Sequence, residues 1–350
     1  MSQVQLDEVP SPIGRGRNLL EVSDLSVTFR KSGKLFGRHE FDVRIRAVDN
    51  VSFQIKESEI VSLVGESGSG KTTVARCLMG LTPATSGSIR FDGAEVTELR
   101  GKKLRTYWQR VQMIYQDPFE SLDPGQNVFS IIASPIRFLA GKSDRSSIRE
   151  DVRKLLIEMD LDPEEVMWKF PHQLSGGQRQ RVNIARALAA NPRMLIADEP
   201  ITMLDAAQRL NILSLLKELQ RRRKLTILLI THDLASAKVM SQRIFVMYLG
   251  KLVEFGPTKE ILLNPHHPYV ELILNSMPRL ADQAMKQQQQ QEEDSFQFTW
   301  IEQSEKVRKG CIFQPRCKYA TEICKDVEPK LDEKSPEDYA ACHNPLNMRS

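Results

Sequence analysis

Gly65-Glu-Ser-Gly-Ser-Gly-Lys-Thr-Thr73 places small, conformationally free residues next to a cation and two hydroxyls. Such a stretch suits phosphate chemistry. Glycines let backbone amides turn toward anionic oxygens, a following helix N-terminus adds partial positive charge, Lys71 can reach outer phosphates, and Thr72 is placed to ligate Mg²⁺. Far downstream, Met194-Leu-Ile-Ala-Asp-Glu199 is an apolar run ending in two carboxylates. A strand exposes alternate faces, so adjacent acids at its end can take different roles: Asp198 in the Mg²⁺ shell, Glu199 polarising an attacking water. Alone, this is also how a strand running into a solvated loop would read; the phosphate loop gives the pair a task. Leu174-Ser-Gly-Gly-Gln178 is a second glycine-bearing loop, ahead of the helix-forming Arg179–Leu188. One nucleotide does not need two such loops from one chain, so the second is expected to serve a nucleotide held by another subunit.

The elements that must position these residues are legible from periodicity. Ile60–Val64, Met194–Ala197, Leu225–Ile230 and Ile244–Tyr248 read as strands, alternating with helical patterns from about Leu19 to Val270. This predicts an α/β fold with a mainly parallel central sheet. Val74, Cys77, Leu78 and Leu81 mark the buried face of one helix, and Val152, Leu155, Leu156 and Met159 that of another. Residues 1–18 read as a flexible arm. Residues 271–295, which include Gln287-Gln-Gln-Gln-Gln291, read as a helix and polar linker, with a domain boundary near Ala284.

Of five cysteines, Cys311, Cys317, Cys324 and Cys342 fall in a Cys-rich C-terminal extension, residues 296–350, too poor in large apolar residues for an ordinary core. It therefore needs a metal or a neighbour. Four thiolates suit an iron–sulfur cluster or tetrahedral zinc, and four packed thiols are the bland alternative; the absence of a C-x-x-C pair argues mildly against a ribbon-type zinc site. Cys77 lies on a helix stripe and is expected in the core.

The chain has 350 residues, 41% hydrophobic and 27% charged, which excludes disorder and a disulfide-stapled miniprotein. A net charge of +4 lacks the basic excess expected if nucleic acid were the main partner, and Arg221-Arg-Arg-Lys224 reads as the solvated end of a helix. No stretch approaches the roughly 18 apolar residues that span a bilayer. The N-terminus lacks the basic start and apolar segment of a secretory signal, which places the expected location in the cytoplasm.

With these motifs in this order, residues 20–270 or so resemble the ATP-binding cassette (ABC) family. The resemblance implies a P-loop ATPase with a mainly parallel core sheet, an antiparallel β subdomain and an α-helical signature subdomain at about 116–174. ATP would lie on Gly65, Ser67, Gly68, Ser69, Gly70, Lys71, Thr72 and Thr73, with Phe29 stacking on adenine and Phe36 and Phe41 competing for that role. Mg²⁺ would be held by Thr72, Gln116 and Asp198, and catalysis carried by Glu199, His232 and Gln116. Ser175, Gly176, Gly177, Gln178 and Asp205 would contact the ATP of a second subunit in a head-to-tail sandwich. Met203 stands where the family usually has a small residue in its interface loop.

Ala47-Val-Asp-Asn-Val-Ser52, Gln116-Asp-Pro-Phe-Glu-Ser-Leu-Asp-Pro124 and Val246-Met-Tyr-Leu-Gly-Lys-Leu-Val-Glu254 resemble the oligopeptide/dipeptide permease branch, and the Leu35-Phe-Gly37 insertion favours its second ATPase subunit type. The tail resembles that branch's C-terminal extension, whose four cysteines hold a [4Fe–4S] cluster in some members, with Zn²⁺ as the alternative; relatives often have His where this chain has Gln314. The implied role is the ATP-hydrolysing subunit of a membrane importer at the cytoplasmic face of the membrane. Its implied partners are a paralogous ATPase in a heterodimer, two integral membrane permease subunits and, indirectly, an extracytoplasmic substrate-binding protein, with no nucleic acid. Oligosaccharide or nickel uptake is an alternative cargo. A soluble, non-transport cassette ATPase is the competing class, although neither a long coiled coil nor a second cassette appears in the sequence.

Overall fold

The computed structural model describes residues 16–35, 39–117, 121–276 and 309–348. Most of the expected arm, Phe36 and the linker from 277 onward lie outside the described residues.

The apolar runs become the centre of an eight-stranded sheet. β1 (Asn18–Leu35) and β2 (His39–Lys56) form a long antiparallel hairpin. β3 (Ile60–Val64) leads into α1 (Lys71–Leu78). β4 (Ser86–Phe91) and β5 (Ala94–Glu95) join β1 and β2 in a separate four-stranded antiparallel sheet, order β2-β1-β4-β5. Then come α2 (Gly101–Arg110), β6 (Val111–Ile114), α3 (Val128–Phe138), α4 (Arg145–Glu158), α5 (Pro163–Val166) and α6 (Gly176–Leu188). The second half holds β7 (Met194–Asp198), α7 (Ala206–Arg223), β8 (Thr226–Thr231), α8 (Leu234–Met240), β9 (Arg243–Tyr248), β10 (Lys251–Pro257), α9 (Thr258–Leu263) and α10 (Pro268–Asn275). The extension adds α11 (Ile323–Asp326), β11 (Asp332–Ser335) and β12 (Asp338–Ala340).

The large sheet runs β11-β12-β10-β9-β3-β8-β7-β6, with the β9-β3-β8-β7-β6 stretch parallel. β3, β7 and β8 are buried at every residue, as parallel strands covered on both faces must be. Register decides where chemistry can happen. Val64 pairs with Thr231 and Asp198 with Ile230, so β3, β7 and β8 end together and the residues that follow them share one edge of the sheet.

The helical expectations hold with one correction. Val152, Leu155, Leu156 and Met159 are buried in one cluster with Val128, Ile132 and Val182, and Asp144 caps α4 by accepting from Ser147 N at 2.7 Å. Val74, Cys77 and Leu78 are buried, but Leu81 is 41% exposed. α1 ends at Leu78, and the left-handed Gly80 (φ 67°) turns the chain before Leu81 can join the face. The other end of the sheet holds a difference in architecture: the extension pairs β12 with β10, so tail and cassette share one sheet.

Candidate nucleotide site

Gly65 follows β3 and Lys71 opens α1, so the loop between them sits at the shared strand edge. Two glycines are required by their surroundings. A Cβ on Gly65 would stand 2.1 Å from the Met247 carbonyl oxygen, and one on Gly70 (φ 102°) 2.3 Å from that of Ala47. Lys71 is buried and curls back on its own loop, donating from Nζ to the carbonyls of Gly65 and Glu66, both at 2.7 Å, and to Ser69 Oγ at 3.3 Å. Burial lowers its pKa, opposed by the charges of Glu199, Asp198 and Glu66.

The two carboxylates after β7 are separated by environment. Asp198 is buried, and desolvation pushes it up to about 6 although Thr72 donates to it at 3.4 Å. Glu199 goes the other way: burial would raise it, but the hydrogen bond and charge of His232, then Thr202 and Lys71, hold it below the ordinary range. Its Oε1 lies 3.2 Å from His232 Nδ1, and its Oε2 accepts from Gln116 Nε2 at 3.2 Å and Thr202 Oγ1 at 2.9 Å. The backbone supports this aim. Glu199 adopts φ 45°, unusual for a residue with a Cβ, while its N–H donates to Ile230 O at 2.9 Å. His232 in turn has its pKa raised, chiefly by the hydrogen bond to Glu199. Three segments of the chain thus converge on one carboxylate beside the phosphate loop.

The second glycine loop forms another centre. Ser175 N-caps α6 in a reciprocal capping box with Gln178 (Gln178 N to Ser175 Oγ 3.2 Å, Ser175 N to Gln178 Oε1 3.1 Å). Asp205 caps α7, accepting from Gln208 N at 2.9 Å and Gln208 Nε2 at 2.6 Å. The two caps are neighbours: a Cβ on Gly177 would fall 2.4 Å from Gln208 Oε1, and one on Gly176 would touch Leu204. Ser175, Gly177, Gln178, Arg181 and Gln208 line a shared open recess, and Met203 is exposed nearby in sequence. Phe29 is 45% exposed on β1, opposite Ile45, whereas Phe41 pairs with Gly33, farther toward the hairpin tip.

The four tail cysteines are gathered in the extension. None forms a disulfide. Cys311 N donates to Cys324 O at 2.8 Å, and Cys311, Cys317 and Cys324 all act electrostatically on Cys342, whose thiol is pushed up to about 11, mainly by burial. Among the described residues, no group of three or more His, Cys, Asp or Glu side chains stands ready to hold a metal ion. The donors suit a thiolate-ligated group in number and type.

Sequence reasoning missed Thr202, which lies inside the Ile201–Asp205 phrase but matters only because the turn after Glu199 folds its hydroxyl back. It also missed Glu66, Tyr269 and Arg316. The Glu66 N–H donates to Tyr269 Oη at 2.9 Å, and Arg316 forks onto the Glu66 carboxylate at 2.9 and 3.0 Å. No local spacing could reveal a pair 250 positions apart.

Comparison with known proteins agrees with this geometry. The ABC transporter family profile matches residues 48–202, and that of the oligopeptide/dipeptide transporter C-terminal region matches residues 253–324. The oligopeptide transport ATP-binding protein AppF of Bacillus subtilis (strain 168) is 39% identical over 326 residues, 93% of this chain and 97% of that protein. The chain belongs to the oligopeptide/dipeptide branch of the ABC transporter ATPases. The oligopeptide transport ATP-binding protein OppF of Escherichia coli (strain K12) is 37% identical to this ABC ATPase over 317 residues, 90% of this chain and 92% of that protein. Among solved structures, the dimeric post-hydrolysis state of the ATP-binding cassette MJ0796 bound to ADP and Pi superposes with a TM-score of 0.59 at 30% identity, covering 68% of this chain and 98% of that one. No described helix is long and apolar enough to cross a membrane.

Proposed function

We propose that this ABC ATPase binds and hydrolyses ATP to drive a peptide importer, pairing with a paralogous ATPase beneath two integral membrane permease subunits at the cytoplasmic face, with an extracytoplasmic binding protein delivering cargo. The observation that carries the reading is the three-sided grip of Gln116, Thr202 and His232 on Glu199 beside the phosphate loop. In this reading Glu199 polarises the attacking water, and His232 and Gln116 orient it. Thr72, Gln116 and Asp198 would hold Mg²⁺; hard oxygen donors, one of them a buried carboxylate beside the Thr72 hydroxyl, suit that ion. Lys71 leaves its loop carbonyls for the outer phosphates, the loop from Gly65 to Thr73 cradles the rest, and Phe29 stacks on adenine. Ser175, Gly176, Gly177, Gln178 and Asp205 would serve the partner subunit's ATP; Ser175, Gly177 and Gln178 line one recess with Gln208, which donates to Asp205, and this supports their acting as one surface. ATP-driven closure of the sandwich would then move the permease subunits, with the helical subdomain at about 116–174 as the coupling element.

The cassette would span 19–270 and the extension 296–350. In the extension, Cys311, Cys317, Cys324 and Cys342 would hold a [4Fe–4S] cluster, with zinc as the alternative; either would supply a cross-link to a segment with little core. Iron, acid-labile sulfide and zinc measured on anaerobically purified chain distinguish the two, and no metal refutes both.

The functional test is reconstitution of the full transporter in vesicles. Peptide-loaded binding protein should stimulate ATP hydrolysis and uptake, with nickel chelates and oligosaccharides assayed in parallel. Stimulation by one of those alone would reassign the cargo, and hydrolysis indifferent to permease subunits would refute the transport reading.

A further inference from the structure

The phosphate loop is held from outside the cassette at one residue. Every polar group of Glu66 is engaged: its N–H donates to Tyr269 Oη, its carbonyl accepts from Lys71 Nζ, and its carboxylate accepts both arms of the Arg316 fork. Arg316 belongs to the extension, immediately before Cys317, and is itself held from behind. Its guanidinium lies over the Tyr248 and Phe313 rings at 5.7 and 5.9 Å, and Phe313 is buried in an aromatic nest with Tyr248, Tyr269 and His267.

The side chains of the Arg316–Glu66 pair are 34% and 41% exposed, so as an isolated ion pair it adds little stability. Its importance lies in where it puts a charge. Glu66 is the one acid in the Gly65–Thr73 loop, and its carboxylate is close enough to act electrostatically on Lys71. Released, it could compete with phosphate for Lys71 and repel phosphate oxygens; gripped, its charge is neutralised by a planar fork that lysine cannot reproduce.

We infer that Arg316 is a positioning residue for the phosphate loop: by turning the Glu66 carboxylate toward the extension and neutralising it, the docked extension tunes the cassette's affinity for ATP. The inference goes beyond the ATPase assignment and does not depend on which cargo is moved.

The test is equilibrium titration of the full chain with a fluorescent ATP analogue (mant-ATP) and Mg²⁺, which needs no permease partner. Arg316→Gln is expected to weaken binding about 5-fold and Arg316→Lys about 2-fold, in line with loss of a charge-assisted fork. In the assembled transporter the same factor should appear in KM for ATP, with kcat within about 2-fold. The deciding arm is rescue. In the Glu66→Gln background, Arg316→Gln should change affinity less than about 2-fold, because the charge to be neutralised is gone. Equal weakening in both backgrounds, or unchanged affinity in a folded Arg316→Gln chain, overturns the inference. If Arg316→Gln does not fold, Arg316→Lys in the two backgrounds decides it by the same criterion.

Discussion

The phosphate loop and the cysteine extension both hold a short polar segment in one shape, by opposite means. The loop is fixed by its backbone: β3 delivers it, α1 receives it, and Gly65 and Gly70 let it pass against the carbonyls of Met247 and Ala47. The extension is fixed by what it borrows. Phe313 plugs the nest made by Tyr248 and Tyr269, and β12 adds to β10 with Tyr339 stacked on Phe255 at 4.7 Å. A shape written into backbone sterics is insensitive to nearby side chains, whereas a borrowed one depends on a few large contacts. The two regions should therefore fail differently.

The sharpest contrast is at Glu199. Glu199→Gln should lower ATP hydrolysis by about 10³-fold in steady-state assays while mant-ATP affinity stays within about 3-fold, because chemistry and cradle are separate here. Normal turnover would remove Glu199 from its role. Phe313→Ala tests the other region. Truncating a buried aromatic typically costs about 3–5 kcal/mol, expected here as early proteolysis of the extension with the cassette left folded. If the cassette melts with it, the two regions are one cooperative unit.

Asp198 tests the cost of keeping a charge ready. Its folded pKa of about 6 lies above the ordinary 3.8, so its contribution to stability is lost as pH rises through that window and the ionised side chain is destabilising at neutral pH. Asp198→Asn should therefore stabilise the nucleotide-free chain at pH 7 by about 1–3 kcal/mol, read as a raised Tm, while abolishing the benefit of Mg²⁺.

The joint between the regions carries a smaller, pH-dependent effect. Glu254 is buried where His266 N and His267 N donate to it at 2.8 and 2.6 Å, and burial still pushes it up to about 8. Asp338 is raised to about 6 by burial and Glu260, while burial lowers His266, helped by Lys334, and takes His267 to about 3. Raised acids lose stability as pH climbs, whereas lowered imidazoles gain it only up to about 6.5. Between pH 6.5 and 8 Glu254 acts largely alone, so the Tm of extension docking should fall over that range by an amount equivalent to about 1–2 kcal/mol, and Glu254→Gln should flatten the slope.

Much of the nucleotide face was legible because strand periodicity and loop spacing are local. Strand alternation taken together with the phosphate loop gives Asp198 and Glu199 different expected roles, and the structure shifts their pKa values in opposite directions. The apolar repeat runs on to Leu81, but Gly80 overrides it and α1 ends at Leu78. What the sequence could not carry was long-range pairing: Thr202 folding onto Glu199, β12 finding β10, Arg316 finding Glu66. These depend on which chain segments become neighbours, and the apolar content of the tail reveals only that it needs some neighbour.

The 250 residues separating Glu66 from Arg316 also separate them in time. At roughly 5–20 residues per second of synthesis, Glu66 is made about 12–50 seconds before Arg316, so each new chain passes through an interval in which Glu66 has no Arg316 to grip it. The grip is thus a late mark of completeness, and a chain truncated before the extension would carry the whole cassette sequence without it.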